Sequence, residues 1–300
     1  RSITGWPGGK PDSDDKVRPE RSEPPRKRVL IFSPHPDDDV ISMGGTFDRL
    51  VSQRHEVHVA YQTSGNIAVS NSDVLKFLEV INSTFPDYAS HNKDIIDLLK
   101  DNTEIINNAR VREIATSIRE KESLAATRLI GLEDKNVHFL KLPFYESGTV
   151  KKNQTSKADK KIILDIINEI KPHQIYAAGD LADPHGTHKV CLDILFDCLA
   201  VLKNKSFMKD CWVWLYRGAW HEWPIHEIDM AVPMSPNQVI RKRKAIFYHQ
   251  TQKDNVMFQG DDNREFWVRA EDRNREIAKK FRDIGMSNYT AIETFKRYHF

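Results

Sequence analysis

Cysteine is scarce in this sequence, with three among 300 residues, Cys191, Cys198 and Cys211. Their odd number and their positions do not fit the disulfide framework of a secreted protein. Cys191 and Cys198 lie seven residues apart in a helical pattern, which favours small buried side chains on one helix face. We therefore predict a reducing environment and a cytoplasmic location.

Long apolar segments and a large charge excess are also lacking. No run of about 18 apolar residues is present, which argues against a transmembrane helix, and the polar start of the chain does not fit a signal peptide. The formal net charge is only +2, so composition favours neither a membrane nor a nucleic acid as partner. With 39% hydrophobic and 29% charged residues, the chain can bury a sizeable core beneath a well-solvated surface.

The first 27 residues differ in composition from the rest of the chain. They are rich in proline, glycine, aspartate and arginine, and they have no apolar periodicity. Such a composition is typical of linkers and tails. We therefore predict a linker or disordered tail over 1–27 and a single α/β domain over 28–300.

The alternation of apolar runs and amphipathic segments predicts the fold of this domain. The apolar run at 28–33 is typical of a buried parallel strand, and a helical pattern at 39–55 and a strand pattern at 56–63 follow it. This is the βαβ unit of a doubly wound sheet. We predict a Rossmann-like, mostly parallel sheet flanked by helices, with extra C-terminal strands and helices. The other predicted elements are helical segments within 71–132 and at 157–172, 186–202, 235–249 and 262–284, and strands at 136–143, 173–179, 211–220 and 225–232.

Two polar clusters lie where predicted strands end. Pro-His-Pro-Asp-Asp-Asp at 34–39 follows the first strand, and Asp-Pro-His-Gly-Thr-His at 183–188 follows the strand at 173–179. Ligands of open α/β sheets bind outside the carboxyl ends of the strands. If these two strands are neighbours at a topological switch point, both clusters face one crevice, and this is the arrangement we predict.

Together the clusters contain the residue types of a catalytic zinc site. Two histidines and one carboxylate with an open position form a known zinc arrangement, and zinc lowers the pKa of bound water to about 7. A second carboxylate could accept the proton of that water, and another histidine could stabilise an oxyanion. Neither cluster is decisive alone, because a lone His-x-x-His is a weak signal and aspartates also cap helices. A magnesium-dependent phospho-acceptor site would explain the carboxylates but would leave the histidines unused.

Two further segments are candidates for the wall of the crevice. Asn66 lies in the segment 63–69, where the strand at 56–63 ends, and we predict that it contacts substrate. Trp220 and Trp223, in the segment 217–224, could offer an aromatic face to a sugar, although packing in the core or at the sheet edge is the simpler interpretation.

The motifs resemble those of the LmbE-like family, also called PIG-L-type zinc N-deacetylases. The resemblance is strongest over 28–252. Three positions depart from the usual family residues, because Pro34 replaces alanine, Asp39 replaces glutamate and Thr251 replaces serine. The segments that carry the resemblance are PHPDDD at 34–39 with the glycines at 44–45, R-x-x-E at 119–122, H-x-x-H at 185–188, and the K-x-x-A…H-x-S-Q pattern at 241–252.

The resemblance implies a role for each matching position. Asp37 would be the general base that activates a zinc-bound water, and His185 would stabilise the oxyanion. Arg119 corresponds to a substrate-contacting arginine. Asp39 would cap the helix or hydrogen-bond to a metal ligand without binding the metal itself. The implied zinc ligands are His35, Asp38 and His188.

The resemblance also implies an activity. It indicates a zinc-dependent hydrolase that removes the N-acetyl group from a small-molecule amino sugar of the N-acetylglucosamine type, with or without a phosphate or conjugate. The segment at 34–46 resembles the half of bacterial fusion proteins that follows a glucosamine-6-phosphate deaminase-like domain, which makes a sugar phosphate a candidate substrate and Arg119 or a nearby lysine its phosphate partner. A non-catalytic domain that senses a sugar or nucleotide and keeps the metal site is the alternative. The oligomeric state stays open, and a homo-oligomer is compatible with the sequence.

Overall fold

Eight strands form one sheet in the part of the chain that the computed structural model describes, namely residues 2–3, 26–100, 108–147, 149, 151–182, 185–218, 220–253 and 264–300. The strands are β1 (Ser2–Ile3), β2 (Arg28–Ser33), β3 (Glu56–Tyr61), β4 (Val137–Phe139), β5 (Gln174–Ala178), β6 (Trp212–Tyr216), β7 (Met230–Met234) and β8 (Ala291–Tyr298). Their order across the sheet is β1-β7-β8-β6-β5-β2-β3-β4.

Helices connect these strands and cover both faces of the sheet. Two of them begin within the polar clusters, so their first turns lie at the carboxyl ends of β2 and β5. No helix among the described residues combines the length and apolarity needed to cross a membrane. The helices are α1 (Asp38–Ser52), α2 (Asn71–Thr84), α3 (Ala89–Lys100), α4 (Ala109–Ile130), α5 (Lys157–Ile170), α6 (Thr187–Leu202), α7 (Pro236–Phe247), α8 (Gln250–Lys253) and α9 (Phe266–Asp283).

The central strand β2 shows why its sequence is a continuous apolar run. It pairs in parallel with β3 on one side and with β5 on the other. Leu30 and Phe32 pack into the core on one face of the sheet, and Val29 and Ile31 pack into the core on the opposite face. A strand covered on both faces needs apolar residues at every position. The predicted Rossmann-like fold and the predicted contact between β2 and β5 are thereby confirmed.

The strands differ from the predictions in several places. β4 and β6 are shorter than predicted, and β7 begins at Met230 because Ile225–Glu227 form a 3-10 turn. β8 was not predicted, because its sequence AIETFKRY is rich in polar and charged residues. It nevertheless lies inside the sheet, antiparallel to both β6 and β7. Two residues of the predicted tail over 1–27 differ from that prediction, because Ser2–Ile3 form β1 and pair with β7. Most of the tail, and the parts of the predicted helical segments at 101–107 and 262–263, lie outside the described residues.

A buried ion pair explains how the polar strand β8 is accommodated. Glu293 of β8 and Lys242 of α7 are both buried, and their charged atoms lie 2.8 Å apart. Glu293 also accepts hydrogen bonds from the backbone N–H groups of Gly45 and Thr46 in α1. A side chain at Gly45 would place its Cβ 2.2 Å from the sulfur of Met234. This close contact fixes α1, whose first turn carries the acidic cluster, against the C-terminal elements.

Candidate metal centre and active-site cavity

A cavity opens at the carboxyl ends of β2 and β5. Residues from both polar clusters face it, as expected for an open α/β sheet. The remaining wall is largely apolar and aromatic. The lining residues from the clusters are His35, Asp37, Asp38, His185, Thr187 and His188, and the others include Ile41, Ile67, Arg119, Tyr145, Trp220, Gln252 and Phe266.

Three side chains converge on one point of this cavity. Oδ2 of Asp38 lies 3.2 Å from Nδ1 of His35 and 3.1 Å from Nε2 of His188. One ligand atom from each residue lies within 4.8 Å of the others, and no second group of this kind occurs among the described residues. Two imidazoles and one carboxylate form the donor set of an open zinc site. The structure therefore brings together the three residues that the sequence predicts as metal ligands.

The orientation of His188 makes its second ring nitrogen available to a cation. Nδ1 of His188 lies 2.8 Å from the backbone carbonyl oxygen of Asp180. A carbonyl only accepts hydrogen bonds, so Nδ1 carries a proton and Nε2 is the ring nitrogen that faces Asp38. Burial alone would raise the pKa of Asp38, but His188 and His35 beside it hold the pKa below its usual value. An ionised carboxylate that lies between two imidazole nitrogens can bind a cation in place of a proton, so these residues fit a metal.

Asp37 lies beside this centre but has a different partner. Its Oδ2 is 3.2 Å from Nη2 of the buried Arg119, which also donates to the carbonyl of Pro36 at 2.7 Å. Burial raises the pKa of Asp37 above its usual value, although Arg119 acts in the opposite direction. A buried carboxylate with a raised pKa at the cavity wall has the properties of a general base.

Arg119 is more deeply buried than its predicted role suggests. It is 1% exposed, and its guanidinium contacts the base candidate Asp37. Gly65 makes room for it, since a Cβ at this residue, whose φ is +62°, would lie 3.2 Å from Nε of Arg119. The geometry therefore presents Arg119 first as the charge partner of Asp37, and its contact with substrate stays a prediction.

Asp39 points away from the cavity and does not cap α1. Its Oδ2 accepts a hydrogen bond from the Tyr61 hydroxyl at 3.0 Å, and its backbone N–H donates to Ser33 Oγ at 3.1 Å. Ser33 Oγ in turn donates to the carbonyl of His35 at 2.6 Å. Burial raises the pKa of Asp39 to about 7. Asp39 thus supports the backbone of His35 through Ser33.

The other predicted wall residues have mixed outcomes. The amide of Asn66 donates to Thr116 at 3.2 Å and to Glu146 at 3.4 Å, so its N–H groups are engaged inside the protein. Trp220 lines the cavity. Trp223 is buried, and its indole N–H donates to the carbonyl of Leu215, so it packs in the core.

A contact between two of the motifs that resemble the PIG-L family, at 119–122 and 241–252, was not predicted. The buried carboxylate of Glu122 accepts hydrogen bonds from the backbone N–H and the hydroxyl of Thr251, at 2.8 and 2.9 Å. Burial raises the pKa of Glu122, while Arg119 and Thr251 act in the opposite direction. The contact joins α4 to α8 next to the cavity. It also explains why threonine can replace serine, since both supply the hydroxyl.

Removal of the Thr251 hydroxyl should show how much this contact contributes to the free energy of unfolding. Thr251→Val leaves one oxygen of the buried Glu122 carboxylate without its donor, which should lower the free energy of unfolding by about 1–3 kcal/mol. Thr251→Ser keeps the donor and should lose less than about 1 kcal/mol. Urea unfolding of both variants measures the difference, and equal stabilities would contradict this assignment.

Fold and site together define an α/β protein with a His-Asp-His candidate metal site at the carboxyl ends of its strands. Residues 30–199 match the family model described as PIG-L, GlcNAc-PI de-N-acetylase. The match covers more than half of the chain, and the protein belongs to this family.

Individual relatives extend this comparison. The chain is 48% identical, over 309 aligned residues, to a Bacteroides thetaiotaomicron protein named glucosamine-6-phosphate deaminase-like; the alignment covers 99% of this chain but only 46% of that relative. Among solved structures, it resembles the N,N'-diacetylchitobiose deacetylase of Pyrococcus horikoshii, with 20% identity, a TM-score of 0.57 and coverage of 95% and 87% of the two chains. It equally resembles the 4-carboxy-2-hydroxymuconate hydratase GalB of Pseudomonas putida, with 14% identity, a TM-score of 0.58 and coverage of 91% and 97%. The fold is therefore shared by enzymes of different reactions.

Proposed function

We propose that this protein is a zinc-dependent hydrolase that removes the N-acetyl group from an amino sugar of the N-acetylglucosamine type. The observation that carries the proposal is that two adjacent aspartates in one cavity have different partners. Asp38 joins His35 and His188 in a metal donor set, whereas Asp37 lies beside Arg119 with a raised pKa. Membership of a family described as de-N-acetylases supports the same reaction.

The chain's own residues can supply each proton transfer of amide hydrolysis. His35, Asp38 and His188 would hold Zn²⁺, which when bound polarises a carbonyl and lowers the pKa of water to about 7. Asp37 would accept the proton of the attacking water and return it to the departing amine nitrogen. His185, on the same cavity wall, would donate a hydrogen bond to the oxygen of the tetrahedral carbon.

The donor chemistry argues against the rival functions. Two of the three donors are imidazoles, whereas Mg²⁺ prefers an all-oxygen shell, so a magnesium phospho-acceptor is disfavoured. A domain that only senses sugars would not need a base, yet Asp37 and His185 both line the cavity. Because a hydratase shares this fold, the site and not the fold supports deacetylation.

A more specific proposal concerns which amino sugar is the substrate. The chain spans about half the length of a relative named glucosamine-6-phosphate deaminase-like. Deacetylation of an N-acetylated amino-sugar phosphate would release the free amine that a deaminase-like domain could act upon. A phosphorylated substrate and a neighbouring deaminase-like domain are therefore part of this proposal, as is a cytoplasmic location.

Acetate release from a substrate panel tests the proposal. The panel contains N-acetylglucosamine, its 6-phosphate and N,N'-diacetylchitobiose, each assayed with added Zn²⁺, with added Mg²⁺ and with a chelator. We expect zinc-dependent acetate release, with the 6-phosphate preferred over the free sugar. Tight binding without acetate release would favour the sensing function, and an equal response to Mg²⁺ and Zn²⁺ would contradict the proposed metal.

A further inference from the structure

One buried residue, Asp180, contacts both a predicted metal ligand and the loop that carries an aromatic wall. It lies directly after β5 and is 1% exposed. Its backbone carbonyl accepts a hydrogen bond from Nδ1 of His188 at 2.8 Å. Its side-chain Oδ2 accepts hydrogen bonds from the backbone N–H groups of Trp220 and His221, at 2.6 and 2.8 Å. The two ends of this one residue therefore hold two different parts of the cavity.

The sheet explains how this bridge arises. β5 and β6 are parallel, with Ala178 opposite Tyr216, so their chains leave the sheet side by side. The backbone N–H of Gly179 continues the ladder by donating to the carbonyl of Tyr216 at 2.7 Å. A Cβ at Gly179 would lie 2.7 Å from the Trp223 ring. Close packing at this point brings Asp180 next to the loop that follows β6.

Trp220 is the part of that loop that faces the cavity. It lies on the wall near Ile41 and Phe266, and it packs edge-on against Phe266 with ring centroids 5.4 Å apart. The guanidinium of Arg269 lies 5.2 Å from the Trp220 ring and 4.1 Å from the Phe266 ring. The indole therefore has a supported position, and its backbone is held by Asp180.

We propose that Asp180 is a positioning residue that fixes the Trp220 wall relative to His188, and that Trp220 contacts the bound sugar and sets specificity. Both bonds from the loop end on the same oxygen, Oδ2, at 2.6 and 2.8 Å, so one side-chain atom anchors two consecutive backbone N–H groups. The part played by Trp220 rests on the proposed function. The bridge between His188 and the loop does not.

The chemistry of Asp180 identifies its most informative replacement. Oδ1 has no hydrogen-bond partner among the described residues, and Oδ2 accepts both bonds from the loop. Asparagine can offer one oxygen to both N–H groups and place its amide nitrogen where Oδ1 lies. Asp180→Asn should therefore keep the contacts to both the loop and His188. Asp180→Ala removes the contact to the loop and keeps only the hydrogen bond between the backbone carbonyl and His188.

The experiment measures metal affinity and substrate kinetics separately in Asp180→Ala, Asp180→Asn and Trp220→Ala. Zn²⁺ affinity is determined by chelator competition without substrate, and KM is determined with the best substrate of the panel. Asp180→Ala keeps the carbonyl that accepts from His188 but releases it from the loop. It should therefore weaken Zn²⁺ binding about three- to tenfold, less than the full loss of an outer-shell partner, and should raise KM. Trp220→Ala should raise KM about three- to tenfold with unchanged Zn²⁺ affinity. Asp180→Asn should lie within about threefold of the wild type in both measurements, since it keeps the acceptor.

The matched control is Asp193→Ala, which removes an exposed aspartate of α6 that pairs with Lys189, and it should change neither quantity. Unchanged Zn²⁺ affinity in Asp180→Ala would overturn the bridge, and unchanged KM in Trp220→Ala would overturn the specificity role. If Asp180→Ala does not fold, Asp180→Ser replaces it in the same comparison. If the wild type releases no acetate, the proposed function fails, but the Zn²⁺ measurements still decide whether Asp180 positions His188.

Discussion

Asp37→Asn is expected to lose nearly all hydrolysis while it keeps its metal. The amide cannot accept a proton, so kcat should fall about 10²–10⁴-fold, the usual contribution of a general base. The shape is preserved, and the amide oxygen can still accept a hydrogen bond from Arg119, which lies 3.2 Å from the carboxylate. The metal donors are three other side chains. Acetate release and the zinc content of the same purified sample measure both expectations.

The neighbouring Asp39→Asn variant is the matched control. Both aspartates are buried, but Asp39 hydrogen-bonds to Tyr61 and is not part of the cavity wall. Because its pKa is about 7, its surroundings already tolerate a neutral side chain near neutral pH. Asp39→Asn should therefore lose much less activity than Asp37→Asn. Comparable losses would show that Asp37 has no special role as a base.

The pH dependence of the wild type offers a second view of Asp37. Burial raises its pKa above the usual aspartate value, and only the ionised form accepts a proton. The value of kcat/KM should therefore fall as the pH drops through this raised pKa. The residual activity of Asp37→Asn should lack this acid limb, and an unchanged limb in the variant would assign the titration to another group.

The parts of the molecule that the sequence predicts well are those with local patterns. β2, α1 and β3 lie within a few residues of their predicted bounds, because burial on both faces and helical periodicity leave clear signatures. The meeting of the two polar clusters at one cavity follows from the parallel pairing of β2 with β5. The alternation of strands and helices along the sequence was therefore sufficient to predict the Rossmann-like fold.

The parts that were missed depend on contacts between distant residues. Glu293 can lie inside the sheet because Lys242, 51 residues away, neutralises it. The hydrogen bond from Thr251 to Glu122 spans 129 positions. The carboxylate of Asp180 holds the backbone of a loop 40 residues later. No periodicity or local motif encodes such pairs, so a single sequence shows the residues but not their partners.

His188→Ala is expected to abolish tight metal binding. It removes one of the three donors that converge in the cavity, so the loss of Zn²⁺ affinity should exceed the about 10–100-fold cost of losing an outer-shell partner. It should therefore also exceed the loss in Asp180→Ala. Activity should fall to the level of the chelated wild type, and added Zn²⁺ should restore only the wild type.

Thermal unfolding provides a readout that does not depend on any substrate. A ligand at 100 times its Kd stabilises the folded state by about 2.7 kcal/mol, so Zn²⁺ should raise the Tm of the chelated wild type. His188→Ala should show almost no rise at the same Zn²⁺ concentration. His91→Ala, which removes an exposed histidine of α3, is the control and should behave like the wild type. An equal rise in His188→Ala would place the stabilising metal elsewhere, because His35 and Asp38 alone cannot supply the three protein donors of an open zinc site.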